Sequence, residues 1–393
     1  MIKLLTYHDI DQQQWRELIQ SSPVATWFQT PEAYAFYASL PEEMMPFAVG
    51  VVEECKAPQW AHPSSDLKVL NDLKDRSTDR LAGIIVGYIT REKNPLKQFF
   101  TRRAIIVGGP LLAEDISDEA LSALLKAAAQ FKVESLKYKG KATREAVTSA
   151  LTPYTLHPTP IYIESRNFHD YSKWKSVFEA NGFAYQPHYD IHVHCNAQHQ
   201  MSEQRIRQVK KAFKNGATIC EAQSEQEIRD WYRILSQLYR EKVRTPLFSE
   251  EFFMQFYREG VGKYLLVKHQ GKVIGGMMCP ILKSKAIYEW YVCGLDEEYR
   301  EQYPSVVATY AAIEYAKTNA LPLFDFMGAG KPDIPYGVRD FKMEFGGELV
   351  EHGRFLCIRR PLLYWIGKLG VKWIKRFAYN CKIKEFESRK TAK

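Results

Sequence analysis

The sequence lacks several features that would settle its class at once. No apolar run is long: the longest, such as Leu81–Ile89, is about half of what a membrane span needs. The opening, Met1 to Asp9, meets an acid too early for a secretory leader. There is no Cys-x-x-Cys pair. The seven cysteines (Cys55, Cys195, Cys220, Cys279, Cys293, Cys357 and Cys381) are odd in number and widely spaced. That excludes a disulfide framework and suits reduced thiols in a cytoplasmic protein. At 46% hydrophobic and 13% aromatic, the chain is neither disordered nor collagen-like. One-signed charge is also missing from most of it. The net charge is +8, yet residues 353–393 hold 12 Lys and Arg against Glu385 and Glu387, so the rest of the chain sums to −2.

What is present is a repeated syntax. At 393 residues the chain suits two domains of about 150–200 residues each. Strands are expected at Ile2–Tyr7, Pro46–Glu54, Arg80–Arg91, Arg103–Gly108, Pro160–Ser165 and 183–195, with helices between them. Residues 55–79 are polar and aperiodic, a surface loop. The second half repeats the order, with a Gly-turn hairpin at 263–280, strands at 286–294, 322–327 and 348–359, and helices near 305–319 and 336–345. Tyr162 and Phe326 lie 164 residues apart, as do Gly182 and Gly346. An equal offset at two landmarks points to duplication. The fold class is therefore α/β with mixed sheets: a domain at 1–182, a second at 183–359, and a basic helix and tail at 360–393.

Three local patterns carry a family resemblance. They are Phe28-Gln29-Thr30-Pro31-Glu32-Ala33-Tyr34, the basic helix from Arg205 through Lys210 and Lys211 to Gly216, and Phe341-Lys342-Met343-Glu344-Phe345-Gly346-Gly347. The element order resembles the GNAT acyltransferase fold present twice. The three patterns resemble the FemAB family, the peptidoglycan bridge-forming aminoacyltransferases. The resemblance covers about residues 1–359. It implies a transferase moving an aminoacyl group from aminoacyl-tRNA to an amine on a cell-wall precursor, with no tightly bound cofactor. One departure stands out. The helix after the Gln motif, Tyr34 to Ser39, carries no Lys or Arg for precursor phosphates.

Amide formation from an activated ester needs a deprotonated amine, an oxyanion stabiliser and alignment of the two substrates. With the resemblance, Lys342 beside Phe341 is the candidate for charge stabilisation; without it, the same helix reads as an amphipathic one with a solvated Lys. Glu289 and Tyr291 share a face of strand 288–294 and could relay the amine's proton, or form a covered polar face. Arg240 and Arg244, with Phe248 four residues on, suit an anionic acceptor, and Tyr336 and Arg339 flank the Lys342 signature. The Gly328-Ala329-Gly330-Lys331-Pro332 loop lacks P-loop spacing. Arg300 to Ser305, where acetyl-CoA enzymes place glycines under pyrophosphate, has none, which disfavours acetyl-CoA as the alternative donor. His188, Asp190, His192 and His194 alternate on one strand face. Same-face neighbours there lie about 7 Å apart, so no metal is expected.

The tail opens a helix at Pro361 in which Leu362, Ile366, Leu369, Trp373 and Phe377 share a face beside Lys368, Lys372, Lys375 and Arg376. With Arg359 and Arg360 this basic amphipathic helix suits the inner membrane surface or a tRNA backbone; it could also be an ordinary packed C-terminal helix. Two other functions stay open on sequence alone: an acyl-CoA N-acyltransferase acting on an amino sugar or surface polysaccharide, and a non-catalytic membrane-associated binding module.

Overall fold

The computed structural model describes residues 2–54, 79–92, 95–130, 159–196 and 198–370. The loop expected at 55–79 lies outside the described residues but for Asp79. So do Cys55, Cys381 and the tail beyond residue 370, including Lys372, Trp373, Lys375, Arg376 and Phe377.

The first half runs β1 (Ile2–Thr6), α1 (Gln12–Ser21), α2 (Pro31–Ala38), β2 (Met44–Glu54), β3 (Asp79–Thr90), α3 (Pro95–Thr101), β4 (Arg103–Gly108), β5 (Leu111–Leu112), α4 (Asp118–Gln130), β6 (Tyr162–Asn167), α5 (Lys175–Ala180) and β7 (Ala184–Gln186). The second runs β8 (Tyr189–His194), α6 (Glu203–Lys214), β9 (Ala217–Glu221), α7 (Glu225–Leu238), α8 (Glu250–Glu259), β10 (Gly262–His269), β11 (Lys272–Leu282), β12 (Ala286–Tyr288), β13 (Tyr291–Gly294), α9 (Pro304–Thr318), β14 (Leu323–Asp325), α10 (Gly337–Met343), β15 (Glu348–Glu351) and β16 (Arg354–Ile358).

Local signals set many of these ends. Thr30 caps α2, accepting from the Ala33 N–H at 3.1 Å, with Pro31 at the first helical position. Ser202 and Ser224 cap α6 and α7 in the same way. The β10–β11 hairpin turns at Gln270-Gly271, both left-handed (φ 50° and 77°), the pairing a two-residue turn needs to match strand twist.

The strands form two eight-stranded sheets of one design. The first has the order β1-β2-β3-β4-β6-β16-β7, with β5 on β3. The second has the order β9-β10-β11-β12-β14-β8-β15, with β13 on β11. Each has one parallel junction, β4–β6 and β12–β14. The duplication expected from the 164-residue offset is therefore visible strand for strand.

One expectation is corrected. Residues 183–195 and 348–359 are not single strands. Each breaks in two, at Pro187-His188 and at His352-Gly353, and its parts join different sheets. β8 follows β7 in the chain but lies between β14 and β15, while β16 follows β15 but lies between β6 and β7. β16 thus leaves the second half for the first sheet, and β8 opens the second sheet directly after β7 ends in the first. The two crossings touch: the Gly353 N–H donates to the His188 carbonyl at 3.1 Å, and Arg354 Nη2 donates to His188 Nε2 at 2.8 Å. A period-two pattern shows that a strand exists, but not which sheet it joins.

The halves also share a core, a single buried cluster reaching from Ile10 to Cys357. At its centre Phe28 packs edge-on to Tyr288 and Trp290 (ring centroids 5.5 and 5.1 Å), and Trp27 meets Trp290 and Phe256. The neighbouring Gln29 is fully buried. Its Nε2 donates to the carbonyls of Gly108 and Gly109, and its Oε1 accepts from the Thr26 N–H. The Phe-Gln-Thr-Pro element is a clamp between halves, and α2 behind it is core, with Ala33, Tyr34, Phe36 and Tyr37 buried.

Candidate functional site

The site forms where one strand of the second sheet splits. β11 carries β13 along Gly275–Met278 and β12 at Ile281–Leu282, and β12 alone continues to pair with β14. At the split the Glu289 N–H donates to the Asp325 carbonyl (2.9 Å) and the Trp290 N–H to the Met278 carbonyl (3.1 Å). The split sends Glu289 and Tyr291 into different surroundings. Tyr291 packs against Phe253 (5.0 Å) and Tyr239 (6.1 Å). Burial, with Tyr239 beside it, pushes its phenol far up.

Glu289 turns to Lys342. Both are buried, 7% and 8% exposed, and Lys342 Nζ lies 3.0 Å from Glu289 Oε1. The same ammonium donates to the carbonyls of Phe326 and Gly328, each at 2.9 Å. Its three N–H groups are thus all engaged, in a dry place where charge interactions are strong. Burial raises the Glu289 carboxyl above its ordinary range, and Lys342 only partly offsets that. A solvated Lys on an amphipathic helix, the bland alternative, is not what α10 presents. Phe341 is covered on one side by the Arg205 guanidinium, 4.3 Å from its ring centroid. Arg205 itself is buried and meets Glu344 at 3.2 Å. The basic helix therefore spends its first arginine on the Phe-Lys signature.

The flanking residues divide. Arg339 donates to the carbonyls of Ala329, Lys331 and Ile334, so its guanidinium fastens the loop before α10. Tyr336 stands exposed. Within that loop the amides of Met327 and Gly328 donate to Asp325 and Asp190, while the Phe326 and Gly328 carbonyls face Lys342. These groups hold carboxylates and a cation, and do not form a phosphate cradle.

Arg240 and Arg244 line a cleft of about 490 Å³ with Tyr232, Ser236, Tyr239 and Leu247. Past Leu238, α7 widens into a π turn, Tyr239–Val243, which stops at Arg244 in the left-handed region (φ 56°), its N–H on the Tyr239 carbonyl at 2.7 Å. Both arginines are exposed, and among the described residues neither has a carboxylate within ion-pair distance. Tyr239 joins this cleft to the rest. Burial, then Cys293 and Tyr336, push its phenol up to about 12. Phe248 stacks on Phe252 at 4.4 Å and is half-buried, a wall more than a ligand grip.

The start of α9 carries no glycine of the kind a CoA site uses, and in the structure it meets a carboxylate. The Ser305 N–H donates to Asp296 Oδ1 at 3.1 Å and its hydroxyl to Oδ2. An exposed carboxylate thus sits on the backbone N–H at the start of α9, as an anion does at a helix N-terminus. Sequence reasoning missed Asp296, which is nine residues away and carries no local signature. It also missed Glu164, Arg166 and Arg354, which form a cluster on β6 and β16 with N–O distances of 2.9–3.0 Å.

On the histidine strand, Asp190 and His192 are buried and His194 is exposed, facing Glu348 at 3.4 Å. Residues 361–370 are helical. Tyr364 rests against Tyr162 at 5.5 Å, and Leu362, Trp365, Ile366 and Leu369 are exposed at 75, 56, 44 and 56%. Lys368 lies over the Tyr364 and Trp365 rings, and Arg359 and Arg360 bond the Ile161 carbonyl through their backbone N–H groups. Among the described residues no helix is long and apolar enough to cross a membrane.

Comparison with known proteins now has geometry to meet. A sequence model described as the Acetyltransferase (GNAT) domain matches residues 201–343. The crystal structure of FemX superposes with a TM-score of 0.59 at 13% identity, covering 93% of this chain and 99% of that one. A tandem GNAT protein from the clavulanic acid biosynthesis pathway gives 0.49 at 11% identity, covering 91% and 98%. L-PGS from Bacillus licheniformis gives 0.48 at 12%, covering 73% and 86%. No curated protein matches the sequence. The expected resemblance holds at the level of architecture: the chain has the tandem GNAT acyltransferase fold, shared with FemX along nearly the whole of both chains.

Proposed function

We propose that the chain is an acyltransferase that forms an amide on an amine-bearing, anionic cell-envelope precursor, with aminoacyl-tRNA as donor. The observation that carries this is the buried Lys342–Glu289 pair at the split of β12 and β13, the place where a GNAT-type domain holds the acyl group. Glu289, its carboxyl raised by burial, takes the proton of the attacking amine. As that carboxylate is neutralised, Lys342 turns its freed N–H to the oxyanion of the tetrahedral intermediate. The new C–N bond forms on attack; as the intermediate collapses the ester C–O bond breaks, and the ribose oxygen leaves with the proton that Glu289 took from the amine. Arg240 and Arg244, exposed and free of carboxylate partners, suit phosphate or carboxylate groups of the acceptor. The Asp296 carboxylate at the start of α9 supports a donor other than acetyl-CoA.

Incubating the purified chain with charged tRNA, and separately with acetyl-CoA, against peptide-bearing cell-wall precursors tests this by mass spectrometry. An aminoacyl adduct from tRNA alone is expected; an acetyl adduct alone would overturn the donor. Lys342→Ala and Glu289→Gln should each cut transfer by about 10²–10³-fold. Unchanged transfer in either would place the chemistry elsewhere.

The exposed stripe Leu362, Trp365, Ile366 and Leu369, next to Lys368, supports docking on an anionic membrane from the cytoplasmic side. Trp365→Ala/Leu369→Ala should release the chain from phosphatidylglycerol vesicles in a flotation assay. Equal binding by both proteins would count against it.

A further inference from the structure

We infer that Asp190, His192 and Asp325 form a binding site for one divalent transition ion, of the class of zinc, on β8 and β14 beside the crossing between the two sheets. Their ligand atoms lie within 4.8 Å of one another, and all three residues are buried, at 3%, 7% and 0% exposure. The inference does not rest on the acyl-transfer reading.

The spacing is the first argument. His192 Nε2 and Asp325 Oδ2 stand 3.5 Å apart, and each lacks a hydrogen-bond partner among the described residues. Two unsatisfied polar atoms in a dry interior are costly. Tetrahedral ligands at about 2.0–2.1 Å from a common ion sit roughly 3.4 Å apart, so the pair is spaced as ligands are, not as a donor and acceptor in contact.

The second argument is how the carboxylates are held. Asp190 Oδ1 accepts from the Ile191 and Gly328 N–H groups, both at 2.7 Å, and Asp325 Oδ1 accepts from the Met327 N–H at 2.6 Å. Each acid is anchored through one oxygen, leaving the other to point inward. Backbone bonds of this kind orient the ligands of a metal. Two carboxylates and a neutral imidazole would balance the charge of a divalent ion. An imidazole in the set favours zinc and its neighbours over magnesium or calcium.

The third argument comes from across the seam. His169, in the loop after β6 of the first half, presents a buried Nε2 with no partner, its ring 6.3 Å from that of His192. His352, at the second crossing, brings its ring within 5.1 Å of His192. The ion would tie β8 to β14.

The test uses the full chain, stripped with chelator and titrated with Zn²⁺ by calorimetry, then with Co²⁺ by visible absorption. One Zn²⁺ per chain is expected, with tetrahedral cobalt bands. Outer-shell partners alone are worth about 10–100-fold, so His192→Gln and Asp325→Asn should weaken zinc at least that much. His194→Ala, at the exposed pair with Glu348, should leave binding unchanged. Absence of stoichiometric zinc or cobalt binding by the wild-type chain overturns the inference whether or not the variants fold. So does undiminished binding in variants whose circular dichroism matches wild type.

Discussion

The same two strands of the two sheets carry opposite solutions to a buried-charge problem. In the first sheet, β6 and β16 bring Glu164 between Arg166 and Arg354, a carboxylate with two cations at 2.9–3.0 Å. In the second, β14 and β8 bring Asp325 and Asp190 to a single His192. The first cluster is closed by its own residues, while the second keeps unsatisfied atoms and an excess of acid. Duplication kept the strand frame and let the charges diverge. One copy became a cross-link; the other kept the composition of a cation site.

This contrast can be broken by variants. Glu164→Gln should strand two arginines and destabilise the chain by about 2–3 kcal/mol, between the values for exposed and fully buried pairs. Asp190→Asn keeps the Oδ1 acceptor and removes one of two like charges, so in metal-free protein it should cost under about 1 kcal/mol. Urea unfolding of both variants measures the difference. Equal losses would mean the two clusters do not differ in kind.

The pH dependence sharpens the same point. Burial would raise the Glu164 carboxyl, but Arg166 and Arg354 outweigh it and hold it at about 2, below an ordinary 4.5. A depressed folded value means the stabilisation is full above about pH 4.5 and is lost as pH falls toward 2. It amounts to roughly 2–3 kcal/mol after allowance for partial exposure. Glu164→Gln should flatten the acid limb of the stability curve, as followed by thermal unfolding between pH 5 and 2.5. An unchanged limb would rule the cluster out as its source.

A smaller effect than the loss of Glu164 concerns the crossing itself. Gly353 is left-handed (φ 64°), and a Cβ there would run into the Tyr185 ring. Gly353→Ala should cost about 1–2 kcal/mol through strain alone. It should also loosen β16 before β8, visible as faster amide exchange in 354–358. Equal exchange in both strands would show that the crossings are coupled rigidly.

Much of this was legible beforehand. The Gly-turn hairpin at 263–280 and the 164-residue repeat are local or periodic signals, and each appears where the sequence places it. Lys342 was singled out from its Phe-Lys signature, but its partners were not. Glu289 is joined to it only because β12 leaves β13, a break that strict alternation along 288–294 conceals. The grouping of Asp190, His192 and Asp325 is hidden in the sequence for a similar reason. Spacing along one strand set the limit there, while Asp325 comes from another.

By itself, then, the sequence determined the elements, their doubling and the basic amphipathic end. These depend on periodicity, capping and composition, which act over a few residues. Only the tertiary structure decided which sheet β8 and β16 join and which acid meets Lys342. Those outcomes depend on contacts between residues far apart in the chain, where burial makes each unpaired charge costly and so selects its partner.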